Sequence, residues 1–406
     1  MNKRISAAVV LFLIFTFKTF AQSGDSTAAP VAAKEEGVFK FNGFFDFNYF
    51  KNLNNPRSGS NTGLSNAARA FDRPENQFQL GLVQTKITYT RSKSDVVIDL
   101  VFGPHADLGN YGNYLGPLGV GNGTTSLAIK QAYFNYKFTK KLTFTAGQFG
   151  THVGYEVIDA PINYHYSLSN LFNNGPFYHI GMKATYAVHE KINLMAGIVN
   201  NWDNLYDNNK FKTAIAQLNI IPSDKMAIYL NYIGGNESTG SYQNATDTLK
   251  RFRQLIDLVL NWQIAEKFYF GLNAAGGAQS GLGVKPGDTT NTLVNITNNW
   301  GGVAVYTNFQ CCKAFSIGLR GEFFDNTAGV MYIGKTDVKS FTVTGKISLD
   351  DDHLQIKPEF RIDMFKQLPY DSSLPASGNI QQFQDSKGNY TLNSQITIGG
   401  AFIYKF

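Results

Sequence analysis

What the chain lacks narrows its class before any motif is read. Only 2 of its 406 residues are cysteine, and they are adjacent, Cys311 and Cys312. Redox and metal-binding motifs need spaced thiols, so both fall away. In an exported chain the pair is either a vicinal disulfide or two thiols, and no function attaches to it. Histidines number 6, and no two stand at the spacing a helical or turn metal site requires. No metal and no cofactor are expected. No GxSxG nucleophile elbow accompanies His152, His165, His179 or the serines. No catalytic residue is therefore assigned, and the chain is not read as an enzyme. Charged residues make up 16%, against about 25% in soluble domains. The net charge of +6 comes from scattered lysines and arginines without a basic run, which excludes a nucleic-acid partner.

Long apolar runs are missing as well, apart from one at the N-terminus. A helical membrane protein would need several runs of about 20 residues. The single run, Ala7 to Phe17, follows Lys3 and Arg4 and ends before the small-x-small triplet Thr19-Phe20-Ala21. It reads as a cleaved signal peptide, residues 1–21, cut before Gln22. Residues 22–37 read as a flexible periplasmic leader, too short for a plug domain.

What the chain has instead is aromatic mass, 33 Phe and 21 Tyr, with 39 Gly and only 12 Pro. From Val38 onward the aromatics alternate. Phe39, Phe41, Phe45, Phe47 and Tyr49 take one face; Lys40, Asn42, Asp46 and Asn48 take the other. That is the period of a β-strand. Further strands are expected at 76–91, 95–104, 127–138, 141–150, 177–188, 191–202, 211–221, 225–235, 251–263, 267–277, 298–310, 314–325, 338–349, 353–365 and 389–406. A phase change near Gln84 marks a bulge, and Pro358 is awkward in a regular strand unless a bulge absorbs it.

Short connections such as Thr139-Lys140 and His189-Glu190 alternate with long ones, 52–75, 105–125, 151–176, 278–296 and 366–388. Outer-membrane barrels sort their loops this way, with short periplasmic turns and long extracellular loops. The fold expected over 38–406 is an all-β, antiparallel, up-and-down transmembrane barrel of about 16 strands. That number leaves a lumen wide enough for water. Outer-membrane lipid and lipopolysaccharide are the partners such a surface implies. A homo-oligomer, with a trimer as the candidate, is consistent with small outward residues at Gly43, Ala128, Ala132, Ala214 and Ala216.

The inner face carries charge. Near His353 the inward set is Gln355, Lys357, Glu359, Arg361 and Asp363. Turned to lipid, a single Arg or Lys would cost about 2–4 kcal/mol at midplane, so these side chains face the lumen. The same parity turns Asp46, Asp99, Lys183, Arg253, Asp257, Arg320, Glu322 and Lys346 inward as pore-lining candidates. Adding Lys40, Lys137 and Lys405, bases exceed acids, which hints at weak anion preference. The loop 151–176 is too aromatic for a loose excursion. It either folds into the barrel as a constriction, with Tyr155, Glu156, Asp159 and His165 as its candidate residues, or packs as a lid or partner site; inward folding is the expectation.

Within Gly147 to Asp203 a resemblance stands out. Gly147-Gln148-Phe149-Gly150, Gly154-Tyr155-Glu156, Asp159-Ala160, Asn163-Tyr164, Tyr166-Ser167, Gly175-Pro176-Phe177-Tyr178 and Val199-Asn200-Asn201-Trp202-Asp203 are similar to motifs of the OmpL-like outer-membrane β-barrel porins of Gram-negative bacteria. The family usually has Gly where Asn201 stands. The resemblance implies a porin-like barrel and supplies neither solute nor catalytic residue. A passive channel for small hydrophilic solutes is the function expected, and a scaffold or adhesin the alternative. The chain closes on Phe402, Tyr404 and Phe406, and Phe406 resembles the signal that bacterial barrel-assembly machinery reads.

Overall fold

Period-two alternation means that burying one face of a strand exposes the other, and β13 (Phe315–Asp325) shows this most cleanly. Ser316, Arg320, Glu322 and Phe324 are buried while Phe315, Ile317, Leu319 and Phe323 are exposed. The buried face is polar and the exposed face aromatic or aliphatic, which is the arrangement a lipid exterior demands. The computed structural model describes residues 36–59, 69, 71–109, 128–205, 207, 209–237, 252–284, 293–331, 336–366 and 383–406. The signal segment and leader residues 22–35 lie outside the described residues.

The other strands follow in chain order: β1 (Val38–Asn52), β2 (Gln77–Thr90), β3 (Ser94–Phe102), β4 (Ile129–Lys137), β5 (Leu142–Gly150), β6 (Tyr178–His189), β7 (Ile192–Val199), β8 (Thr213–Ser223), β9 (Met226–Asn236), β10 (Phe252–Ala265), β11 (Phe268–Val284), β12 (Leu293–Cys312), β14 (Asp337–Leu349) and β15 (Leu354–Phe365). A small separate hairpin, β16 (Phe383–Gln384) and β17 (Tyr390–Leu392), precedes the last barrel strand, β18 (Ser394–Lys405). Among the described residues, two short helices, α1 (Pro104–Gly109) and α2 (Asn170–Asn173), sit in the second and third long loops. Sixteen strands close into one antiparallel barrel, each beside its sequence neighbour, with β18 sealing against β1. Closure removes every exposed sheet edge.

Several details differ from expectation for identifiable reasons. The phase change near Gln84 is a bulge at Gly81-Leu82, opposite Asp46; the Leu82 N–H donates to Asp46 Oδ2 at 2.9 Å. It turns Lys86 inward, between its cross-strand neighbours Asn42 and Asp99. No bulge accompanies Pro358. Pairing with β14 lapses beside it and resumes in the same register, with Gly345 and Gly400 as the small residues packed against the ring. Most of 278–296, expected as loop, belongs to β11 and β12. Those ends are rich in Gly, Ser, Thr and Asn, lack an apolar alternating face, and are recognisable only from their pairing. Cys311 and Cys312 are free and exposed, in β12 before its short turn.

The seam is tight at its final residue. The Phe406 N–H donates to Gly43 O and the Gly43 N–H to Phe406 O, both at 3.0 Å, and the Phe406 ring lies 6.1 Å from that of Phe41. Deleting Phe406 removes this last bridge. The expected result is less heat-modifiable barrel in outer membranes, with unchanged conductance of the protein that does assemble; wild-type levels of folded barrel would count against it.

Candidate functional site

The segment 151–177 leaves β5 and returns as β6, its base closed by the Thr151 N–H donating to Phe177 O at 3.0 Å. It organises itself locally. The Asn163 amide braces Val157, accepting its N–H at 3.0 Å, and Ser169 caps α2 by accepting the Phe172 N–H at 3.0 Å. The loop then turns into the barrel. Tyr155 stacks on Tyr306 at 4.1 Å and donates to the Tyr269 hydroxyl at 2.9 Å. It rests over Gly271, where an added Cβ would come within 2.6 Å of its hydroxyl. Tyr164 lies over Gly318 in the same way and donates to Ser316 Oγ at 2.8 Å. Glycine under each ring lets a loop aromatic lie against the wall.

The inward charges meet the loop one by one. Arg320 donates to Glu156 Oε1 at 2.7 Å and to Ser167 O at 2.6 Å. Lys357 donates to Ala160 O at 2.7 Å and Asn163 O at 2.5 Å. Arg361 donates to Leu168 O at 2.7 Å and pairs with Asp363 at 2.8 Å. Glu359 accepts the Tyr166 and Ser167 N–H groups at 2.8 and 3.1 Å, and Glu322 accepts the Asn170 N–H at 2.6 Å. Asp46 accepts the Tyr166 hydroxyl at 2.5 Å, Asp257 the Gly154 N–H at 2.9 Å. His165 Nδ1 meets Thr344 Oγ1 at 2.7 Å. On the far side Asp159 pairs with Lys130, which also lies 3.5 Å from Asp99.

Nine of the twelve pore-lining candidates are thus covered, their side chains inward as expected but in contact with loop or wall rather than water. Lys183, Arg253 and Lys346 remain partly exposed. Lys183 stands over the Phe149 ring at 4.3 Å, Arg253 over Trp202 at 5.1 Å, and Lys346 pairs with Asp352 at 3.0 Å. All four loop candidates, Tyr155, Glu156, Asp159 and His165, touch the wall. Two partners escaped the sequence reading. Arg69, from the first long loop, pairs with Asp363 at 2.8 Å and Asp72 at 2.5 Å. Lys130 sits where the β3–β4 register slips and so breaks the parity rule. Between loop and wall a cavity of about 290 Å³ remains, lined by Lys130, Gln131, Gln148, His152 and Asp159. Among the described residues, no group of His, Cys, Asp and Glu is gathered as a metal ion would need.

At the loop's exit Asp203 Oδ1 accepts the Phe177 and Tyr178 N–H groups at 2.5 and 3.2 Å. Burial pushes its carboxyl up to about 7 against the pull of those donors.

A closed sixteen-stranded barrel with a polar interior and an inward third loop is the build of an outer-membrane porin. The sequence signature described as "Putative beta-barrel porin-2, OmpL-like" matches residues 38–406, and the chain belongs to that family. Its place is the bacterial outer membrane. Similar solved structures include OmpT of Vibrio cholerae in a trimer form (10% identity, TM-score 0.55, covering 92% of this chain and 100% of that one). The outer-membrane channel DcaP of Acinetobacter baumannii is another (10%, 0.56, covering 91% and 98%). A third is an anion-selective porin from Comamonas acidovorans (9%, 0.54, covering 91% and 100%). No curated protein matches the chain in sequence.

Two outcomes follow from the geometry. Arg320→Ala leaves Glu156 buried without its cation and should lower stability by about 3–5 kcal/mol, read from denaturant unfolding in detergent. Adding Glu156→Gln should cost less than the two single changes summed. Because the folded Asp203 carboxyl titrates above its unfolded value, its contribution is full below about pH 4 and lost as pH rises through about 7. Asp203 has φ 49°, a conformation asparagine tolerates. Asp203→Asn should remove a slope of up to about 1.4 kcal/mol per pH unit across that window, measured by thermal unfolding against pH.

Proposed function

We propose that the protein is a passive channel for small hydrophilic solutes, with 151–176 as its constriction. The observation that carries this reading is the inward loop. It meets the wall from Lys130 on β4 round to Arg361 on β15, yet leaves space against β4 and β5. Solutes pass through what the loop leaves open, and their size limit is set there.

Weak anion preference follows from which charges stay wet. The buried ions are matched by loop groups and present little net field to a solute. Lys40, Lys86, Lys137, Lys346 and Lys405 are at least partly exposed on the inner face, with Asp95 and Asp352 as nearby carboxylates. Charged side chains lining a pore in this way bias its ion selectivity. No step of covalent chemistry belongs to this reading.

The density of loop–wall bonds favours one rival, a closed scaffold. Bilayer conductance separates the two, since a scaffold would be silent. For self-association, the outward hollow of roughly 610 Å³ on β6 to β10 is the candidate face. Ala184, Ala196 and Ala216 are direct cross-strand neighbours there, so a second barrel can approach closely. Gly43 and Ala132 lie on other strands, β1 and β4. Lipopolysaccharide and the assembly machinery are the remaining partners proposed.

Deleting Val157–Asn170 should raise single-channel conductance in planar bilayers, because it removes the segment that crosses the lumen. Unchanged conductance in a correctly folded variant would sink the constriction.

A further inference from the structure

The inner wall is divided in a way that the channel reading does not require. Six consecutive strands, β7 to β12, hold only Arg253 and Asp257 as charged residues. Both lie toward the long-loop end, Asp257 covered by Gly154. From there to the short turns the inward side chains of these strands are uncharged, and amides and tyrosines predominate. Apart from Lys183 on β6, the partly exposed lysines of the lumen stand on the opposite arc, β14 round through β1 to β4.

The neutral arc is a contiguous surface. Asn193 is the direct cross-strand neighbour of Asn219, and Asn219 of Tyr229. Tyr269 is in turn the direct neighbour of Asn308 and donates to Asn261 at 2.5 Å. All six are partly exposed. The side chains of Asn193 and Tyr229 make no hydrogen bond to a described residue; the side-chain oxygens of Asn219 and Asn308 are buried without a partner, so these two amides present their other face to the lumen until they reorient. Free amides and a phenol supply donors and acceptors without charge, while tyrosine rings offer flat apolar faces. A solute matched to this surface carries many hydroxyls, apolar C–H faces and no charge.

We propose that the arc from Asn193 to Asn308 is a contact surface for neutral polyhydroxylated solutes, saccharides by class. The inference rests on the channel reading for its role in passage, but binding can be tested separately. Asn219 and Asn308 amides reorient to meet sugar hydroxyls, and Tyr229 and Tyr269 stack against sugar faces.

The test uses the full chain purified from outer membranes, with maltotriose as the probe. In planar bilayers maltotriose should block the current at concentrations where polyethylene glycol of equal hydrodynamic size does not. The double variant Asn193→Ala, Tyr229→Ala should weaken that block about tenfold, as expected for one or two lost hydrogen bonds. Tyr229→Phe, which keeps the ring, should retain part of it; a heat-modifiable band confirms that each variant is folded. Equal block by sugar and polymer would overturn the proposal. Block by a dicarboxylate but not by maltotriose would do the same, and would assign solute contact to the basic arc. If the protein passes no current, the channel reading fails instead. Calorimetric titration with maltotriose then decides: saturable heat lost in the double variant supports the surface, and no heat in the wild type overturns it.

Discussion

Everything inside this barrel answers to one constraint, the desolvation of the charged ladder on β13 and β15. Lipid excludes water outside, and the inward loop excludes it inside. Arg320, Lys357 and Arg361 are nonetheless essentially without exposure, at 0%, 0% and 1%. A charge so placed costs several kcal/mol unless it is met by good geometry. The loop meets each cation with backbone carbonyls, those of Ala160, Asn163, Ser167 and Leu168, and the carboxylates Glu359 and Glu322 with backbone N–H groups, those of Tyr166, Ser167 and Asn170. The ladder thus dictates the path of the loop backbone, and the loop in return removes the ladder from solvent.

That exchange changes what an inward charge means. In an open pore every inward ion would act on a passing solute. Here most are spent on holding the loop, and the field in the lumen is left to residues the loop does not reach. The first long loop joins the same arrangement through Arg69, which shares Asp363 with Arg361. The short-turn half of the lumen keeps two chemically different sides, one of lysines and one of amides and tyrosines. The loop meets the neutral side at Tyr269, whose hydroxyl accepts from Tyr155 at 2.9 Å.

Much of the fold was legible in the chain. Strand parity was read correctly on β1, β10, β13 and β15 because lipid outside and water or polar groups inside impose opposite demands on alternate residues. Failures came where that demand weakens. The ends of β11 and β12 rise past the apolar band with Gly, Ser, Thr and Asn on both faces, and nothing local marks them as strand. Lys86 and Lys130 were not among the inward candidates, since each follows or sits at a register slip, which shifts parity without a sequence mark.

By itself the sequence determined the barrel, its strand number and its inner and outer faces. All of these follow from periodicity and from the cost of placing charge in lipid. Only the tertiary structure decided which inner charge meets which loop group and which stay wet. Those pairings join residues well over a hundred positions apart, such as Glu156 with Arg320 and Arg69 with Asp363. They arise only when closure of the barrel brings every strand round to face the same loop.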